Sequence, residues 1–232
     1  MTTYDDDYYA QNSQDSDRIA LKWYSQYLAK KFEEGSKALD FGCGTGFFLR
    51  RLSRYFSVSG FDISSFARLE AGRLVPSSVL YEKTTDIPEM SHDLVTALHV
   101  LEHVSHPIDA LSEIYRILKP GGKAFVVVPD TAGRGHKKKK DEWFAYKDPT
   151  HCTFLSSSEW VEIARRSGFI VEMEGSDGLW DSPYTRLPRL LDRLIFGFPL
   201  ILNVLTSTIN RRPNRGECAV LLLKRPGVAI AS

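Results

Sequence analysis

The chain is poor in cysteine. Its 232 residues contain three, Cys43, Cys152 and Cys218, with no C-x-x-C pair among them. That excludes a disulfide framework and a cysteine-based zinc site, and it fits a reducing compartment. Excess charge of either sign is also missing. Thirty Lys and Arg face twenty-nine Asp and Glu, a net +1, so no overall field draws the protein to nucleic acid, and none is expected as a partner. The first residues, Met1 to Asp7, are acidic and carry no apolar core, unlike a secretory signal. No apolar run reaches the roughly 20 residues of a spanning helix. The nearest, Leu194–Leu205, is preceded by Asp192 and Arg193. A cytoplasmic protein is the expectation.

What is present is ordinary globular composition, 43% hydrophobic and 25% charged, enough to build one α/β domain with a full core. Residues 1–16 are polar and tyrosine-rich and read as a mobile arm; Tyr4, Tyr8 and Tyr9 could cover a ligand. The apolar spacing of Ile19, Trp23, Tyr27 and Leu28 predicts a helix within 17–34. Strands and helices then alternate. Strands are expected at 37–41, 58–62, 79–81, 93–100 and 123–128, with helices at 47–55, 64–73 and 107–118; Lys119–Gly122 reads as a turn. Alternation of this kind implies a doubly wound, mostly parallel sheet with helices on both faces. A helix at 156–167, a strand at 169–173 and a last strand at 218–223 complete the chain, and the lysine run 137–140 reads as a loop.

The most informative segment is Leu39-Asp40-Phe41-Gly42-Cys43-Gly44-Thr45-Gly46, leaving the first strand for a helix. Glycines there permit a tight turn and close approach of a ligand, and the following helix start offers free N–H groups. Asp62 follows twenty-two residues after Asp40, where a carboxylate can accept both hydroxyls of a ribose. A dinucleotide fingerprint would read G-x-G-x-x-G, but Phe47 stands where the third glycine should fall. A nicotinamide oxidoreductase is therefore the weaker alternative.

The pattern D-x-G-x-G-x-G instead resembles the first motif of class I S-adenosylmethionine-dependent methyltransferases. Phe61-Asp62-Ile63-Ser64, Asp93-Leu94-Val95 leading to His99-Val100-Leu101-Glu102-His103, and Leu118-Lys119-Pro120-Gly121-Gly122 resemble its later motifs in order and spacing. The resemblance spans about residues 37–130 and points to the small-molecule branch that includes ubiquinone-biosynthesis methyltransferases. It implies a Rossmann-like, seven-stranded sheet with an antiparallel last strand. It implies S-adenosyl-L-methionine as cofactor and S-adenosyl-L-homocysteine as product. The cofactor residues it indicates are Asp40, Gly42, Gly44, Gly46, Asp62, Ile63, Asp86, Ile87 and His99. The sequence departs from the family at Lys83, where an acidic residue often contacts adenine; Asp86 or the backbone of Thr84 and Thr85 is expected to serve instead. Asp148-Pro149-Thr150-His151 resembles a family stretch whose histidine faces the acceptor, so His151 and, after the fourth strand, His103 are the candidate bases. Each has an alternative role, in pinning the loop and in packing beside the cofactor. No metal is expected.

A single domain follows, with an arm at 1–16, a cofactor-binding core at 17–174, an apolar insertion at 175–215 and a last strand at 216–224. The insertion reads as a lid or a homodimer helix. Its segment 187–209, with arginines on both sides, also suits peripheral contact with a membrane. The expected activity is methyl transfer to a small or lipid-linked acceptor, at oxygen; a non-catalytic cofactor-binding module is the other alternative.

Overall fold

The computed structural model describes residue 8, residues 18–185 and residues 187–227. In chain order the elements are α1 (Ile19–Ala29), β1 (Lys37–Phe41), α2 (Phe47–Leu52), β2 (Ser57–Phe61), α3 (Ser65–Leu74), β3 (Val79–Tyr81), β4 (His92–Leu98), α4 (Pro107–Ile117) and β5 (Leu118–Pro129). Then come α5 (Arg134–Lys139), α6 (Phe144–Lys147), α7 (Ser157–Arg166), β6 (Ile170–Ser176), α8 (Arg189–Thr206) and β7 (Cys218–Lys224).

The strands form one sheet in the order β3-β2-β1-β4-β5-β7-β6. The first five pair in parallel, whereas β7 runs antiparallel to both β5 and β6. This is the seven-stranded Rossmann-like sheet implied by the motifs, with its reversed last strand lying inside the sheet. Local chemistry explains the helix starts. Ser156 and Glu159 form a reciprocal capping box on α7, Ser64 caps α3 by accepting from Ala67 N–H, and Pro107 opens α4.

Each face of the sheet is sealed by its own apolar layer. Leu111, Ile114 and Ile117 of α4 and Trp160, Val161 and Ala164 of α7 cover one face. Trp23, Tyr24, Tyr27 and Leu28 of α1 and Phe48 and Leu52 of α2 cover the other. Central β5 and β7 are buried on both sides, which is why they read as unbroken apolar runs. Phe125, fully buried, meets Tyr24 and Tyr27 with ring centres at 5.5 and 5.8 Å. Phe125→Ala is expected to cost about 3–5 kcal/mol in urea unfolding; a loss below about 1 kcal/mol would mean the layer re-collapses around the site.

Two local readings of the sequence are corrected. Lys119–Gly122 is not a separate turn but continues β5, with a register shift opposite His92 and Leu94. Gly121 kinks the strand at φ +82°, and backbone bonds between Gly121, Gly122 and Arg225 hold the kink in the sheet. The lysine run is not a solvated loop: it ends α5, where Lys139 pairs with Asp181 at 3.2 Å and Lys138 lies 4.8 Å over the Phe196 ring. Long stems can cover apolar surface while their charges find partners. The apolar insertion contains the 18-residue α8. Among the described residues no helix is long and apolar enough to cross a membrane. Tyr4 and Tyr9 lie outside the described residues.

Candidate active site

The parallel strands end on one rim, and the loops leaving β1, β2 and β4 meet there. After β1 the chain reverses through Gly42, Gly44 and Gly46, at φ +77°, +50° and +88°, the left-handed region that glycine enters without strain. The N–H groups of Gly42 and Cys43 both donate to Phe61 O, at 2.7 and 2.9 Å, binding the turn to the end of β2. The three glycines have different reasons to be there. A Cβ on Gly42 would stand 2.4 Å from Val100 Cγ2, and one on Gly46 would stand 2.8 Å from Ala71 Cα in α3. Both let segments pack closely. Gly44 lines a cavity of about 360 Å³.

That cavity is bordered by the glycine turn, Asp62, Ile63, Thr84, His99, Val100 and His103. Asp62 is oriented by the backbone: Gly44 N–H donates to Oδ2 at 2.8 Å and Ser64 N–H to Oδ1 at 2.9 Å. A buried, oriented carboxylate at the end of the second strand is the acceptor pair that two adjacent ribose hydroxyls require. Tyr8 also lines the cavity and donates to Asp148 Oδ2 at 3.2 Å. Asp40 lies one layer deeper. Thr96 Oγ1 donates to it at 2.7 Å, and burial pushes its carboxyl up to about 7. It borders a small annex of about 50 Å³ together with Arg18, Gly42 and Gly44.

A second cavity of about 630 Å³ opens on the other side of His99. Tyr24, Phe144 and Trp180 supply its aromatic lining, and Asp177, Asp181 and Glu217 its carboxylates. Asp177 accepts from the N–H groups of Glu217 and Cys218 and from Trp180 Nε1 at 2.9–3.0 Å, and burial raises its carboxyl to about 7. Burial also raises Glu217, which accepts from Trp143 Nε1 at 2.7 Å and from the Tyr184 hydroxyl.

His99 borders both cavities. It holds φ +55°, uncommon for a residue with a side chain, and its Nδ1 lies 3.0 Å from Glu102 Oε1. His103 follows on a single 3-10 turn, Leu101–His103; burial lowers its pKa below the ordinary imidazole value. Its ring meets that of His151 edge-on, with centres 4.6 Å apart. The backbone carbonyl of Glu102 accepts from Cys152 and Thr153, at 2.9 and 3.0 Å, which brings the 148–155 loop to the end of β4.

The rim thus gathers Gly42, Gly44, Asp62, Ile63, His99 and His103 around the first cavity, with Asp40 beneath. Gly46 packs against α3 instead. Asp86 is exposed and Ile87 is buried in the core; Thr84, just before them, lines the cavity. His151 borders neither cavity. Its Nδ1 lies 2.7 Å from the carbonyl of Ala145, the loop-pinning position. Sequence reasoning missed Asp177, Trp180 and Glu217, which sit on or beside an insertion with no local pattern. It also passed over Glu102, whose only signal was its place in His99-x-x-Glu102-His103.

The residues present fit S-adenosylmethionine: a turn whose glycine lines the cavity, an oriented carboxylate at the second strand, and an annex beside Asp40 that shares Gly42 and Gly44 with the cavity. A family model described as a methyltransferase domain matches residues 13–173. The ubiquinone biosynthesis O-methyltransferase of Hydrogenovibrio crunogenus is 29% identical over 185 residues, covering 71% of this chain and 75% of that protein. The enzyme of that name from Pseudomonas syringae is 35% identical over 105 residues, and there the match spans 39% of this chain but only 43% of the relative. Among solved structures, an S-adenosylmethionine-dependent methyltransferase from Archaeoglobus fulgidus has a TM-score of 0.66 at 18% identity, covering 95% of this chain and all of that one. A chain of the complex between the Haloferax volcanii Trm112 activator and its methyltransferase reaches 0.68 at 21% identity, covering 97% and 100%. The nicotinamide alternative falls with these findings, and the chain belongs to the class I S-adenosylmethionine-dependent methyltransferases.

Proposed function

We propose that the protein methylates an oxygen of a small or lipid-linked acceptor seated in the second cavity. The observation that carries this reading is the position of His99, which borders both the glycine-turn cavity and the aromatic, carboxylate-lined one. The names of the ubiquinone biosynthesis relatives support oxygen as the target. The bound cofactor supplies an electrophilic methyl group. Asp62 holds the ribose, Gly44 gives it room to approach, and Asp40 sets the charge beside the annex. The protein's remaining work is alignment, exclusion of water and removal of the acceptor proton. That last task is assigned to His103, which lines the first cavity, with the His151 ring edge-on to it at 4.6 Å; the acceptor hydroxyl reaches it past His99. Exposed Leu190, Leu191, Ile195, Ile201 and Leu205 on α8 support a lipid-linked acceptor or contact with a membrane.

The reading is tested by calorimetric titration with S-adenosylmethionine and, separately, NADH, followed by an acceptor screen with phenols and lipid-linked sugars. Micromolar binding of the former alone, with methyl transfer to a hydroxyl, is the expected result. Binding with no acceptor ever methylated would favour a non-catalytic module. His151→Ala is expected to slow turnover about 10²-fold while cofactor affinity changes less than about twofold. An unaltered rate would remove the histidine pair from the reaction.

A further inference from the structure

A third cavity lies at the opposite edge of the sheet from the glycine turn. β1 and β2 start side by side at Lys37 and Ser57, and the segments leading into them are clamped together. Gly35 N–H donates to Tyr55 O at 3.1 Å, and Ser57 N–H donates to Ser36 O at 3.0 Å. The end of α1, these two segments and Ser207 after α8 enclose about 530 Å³. That exceeds the 360 Å³ at the glycine turn and lies within the range of small-molecule sites. None of the lining residues borders the other two cavities or the annex.

The walls are aromatic and the polar groups are mostly donors. Phe32, Tyr55 and Phe56 line the cavity. Phe32 meets Phe56 edge-on with ring centres 6.0 Å apart, and all three rings pack on the core. Rings held in this way offer faces and edges to a flat apolar ligand. Gln26 Oε1 accepts from Ser207 Oγ at 3.4 Å, which leaves the amide N–H groups as donors. Two cations, Lys30 and Arg54, stand against one carboxylate, Glu34. Helix C-termini carry partial negative charge, and α1 and α8 both end here, which by itself favours a cation. Lys30 already supplies one: its Nζ donates to Thr206 O at 2.8 Å, at the end of α8. Arg54 is exposed and makes no ion pair among the described residues. Its planar fork of N–H donors matches a carboxylate or a phosphate.

We propose that this cavity binds a small aromatic acid, its ring against Phe32, Tyr55 and Phe56 and its carboxylate or phosphate on Arg54. The apolar walls take the ring out of water, and the charge-assisted bond to the guanidinium selects the acid over a neutral or cationic molecule of the same shape. The site is separate from the cofactor and depends on neither the oxygen-methylation reading nor the acceptor. One helix nevertheless connects the two ends of the molecule: Leu21 and Tyr24 of α1 line the second cavity, and Gln26 and Ala29 line this one.

The test is fluorine NMR of 4-fluorobenzoate and of 4-fluorophenyl phosphate, each titrated with the full chain. The counterparts 4-fluorobenzyl alcohol and 4-fluorobenzylamine keep the ring and change the charge. Saturable broadening of at least one acid is expected, with the alcohol and the amine bound at least about tenfold more weakly. The acid that binds more tightly identifies the head group. Arg54→Gln is expected to weaken that acid at least about tenfold. Because Arg54 is exposed, the variant is expected to melt with wild type and to keep its affinity for S-adenosylmethionine. Excess S-adenosylhomocysteine is expected to leave the bound acid in place. No saturable binding of either acid, equal binding by Arg54→Gln, preference for the amine, or displacement by S-adenosylhomocysteine would each overturn the site. Failure of S-adenosylmethionine to bind would count against the proposed function alone and leave the acid titration standing.

Discussion

Gly44→Val is expected to weaken S-adenosylmethionine binding at least about a hundredfold, equivalent to about 2.7 kcal/mol. Gly44 holds φ +50° and lines the cavity, so two effects act together. A β-branched residue in left-handed backbone is strained by about 1–3 kcal/mol, which pushes the turn away from its present path. The Gly44 N–H that orients Asp62 at 2.8 Å moves with it, and the new side chain competes for space in a cavity of about 360 Å³. The same change at Gly42 would confuse folding with binding, because a Cβ there meets Val100. Calorimetry measures the affinity, and a thermal melt shows whether the fold survives. A folded variant with wild-type affinity would remove the glycine turn from the cofactor site.

Asp40→Asn is expected to make the free protein more stable at pH 8, by about 2 kcal/mol, and to weaken cofactor binding about tenfold or more. Burial raises Asp40 from the ordinary 3.8 to about 7. Between those values the folded protein keeps a proton that the unfolded chain has released. Stability of the free protein therefore falls as pH rises from about 4 to about 7 and levels off above. The asparagine removes that contribution, while Thr96 still has an oxygen to donate to. Asp177, also raised to about 7 by burial, acts in the same direction and remains in the variant. The contribution of Asp40 to the pH dependence should accordingly disappear and that of Asp177 persist. A cationic ligand near Asp40 favours its ionised form, so stabilisation by the cofactor should grow with pH in wild type and much less in the variant. Urea unfolding at several pH values between 4 and 8 measures both effects; a variant less stable than wild type at pH 8 would mean that Asp40 is ionised in the fold and stabilised by partners.

Much of the architecture was legible from local chemistry. Central strands buried on both faces must be apolar, so residues 124–128 of β5 and 219–223 of β7 stand out as uninterrupted runs, and helix starts announce themselves through Ser64, Pro107 and Ser156. The site was legible where one short segment carries it. A glycine turn placed directly after a strand has few other uses, and Asp62 lies at the end of the very next strand. The 130–155 and 175–215 segments were not legible. Helices α5 and α6 are six and four residues long, too short to show a period. Trp143 and Glu217, 74 residues apart, define their surroundings through a 2.7 Å bond that no local pattern announces. The choice between Asp86 and the backbone of Thr84 and Thr85 stayed open for a similar reason: the distance from Pro88 is a sequence fact, but which of the three faces inward depends on the 3-10 turn they share and on Arg116, which donates to the carbonyls of Thr84 and Ile87.

Spacing along the chain was sufficient for the class of fold, the cofactor and methyl transfer as the reaction, because the motifs that carry the family resemblance lie within a few positions of consecutive strand ends. The meeting of Glu102 and His103 with His151, nearly fifty residues later, and the partition of the rim by His99 into two cavities belong to tertiary structure alone. They arise where the ends of β4 and β5 converge and the Glu102 carbonyl captures the N–H groups of Cys152 and Thr153, since side chains from distant segments become neighbours only once the sheet has set the distance between their loops.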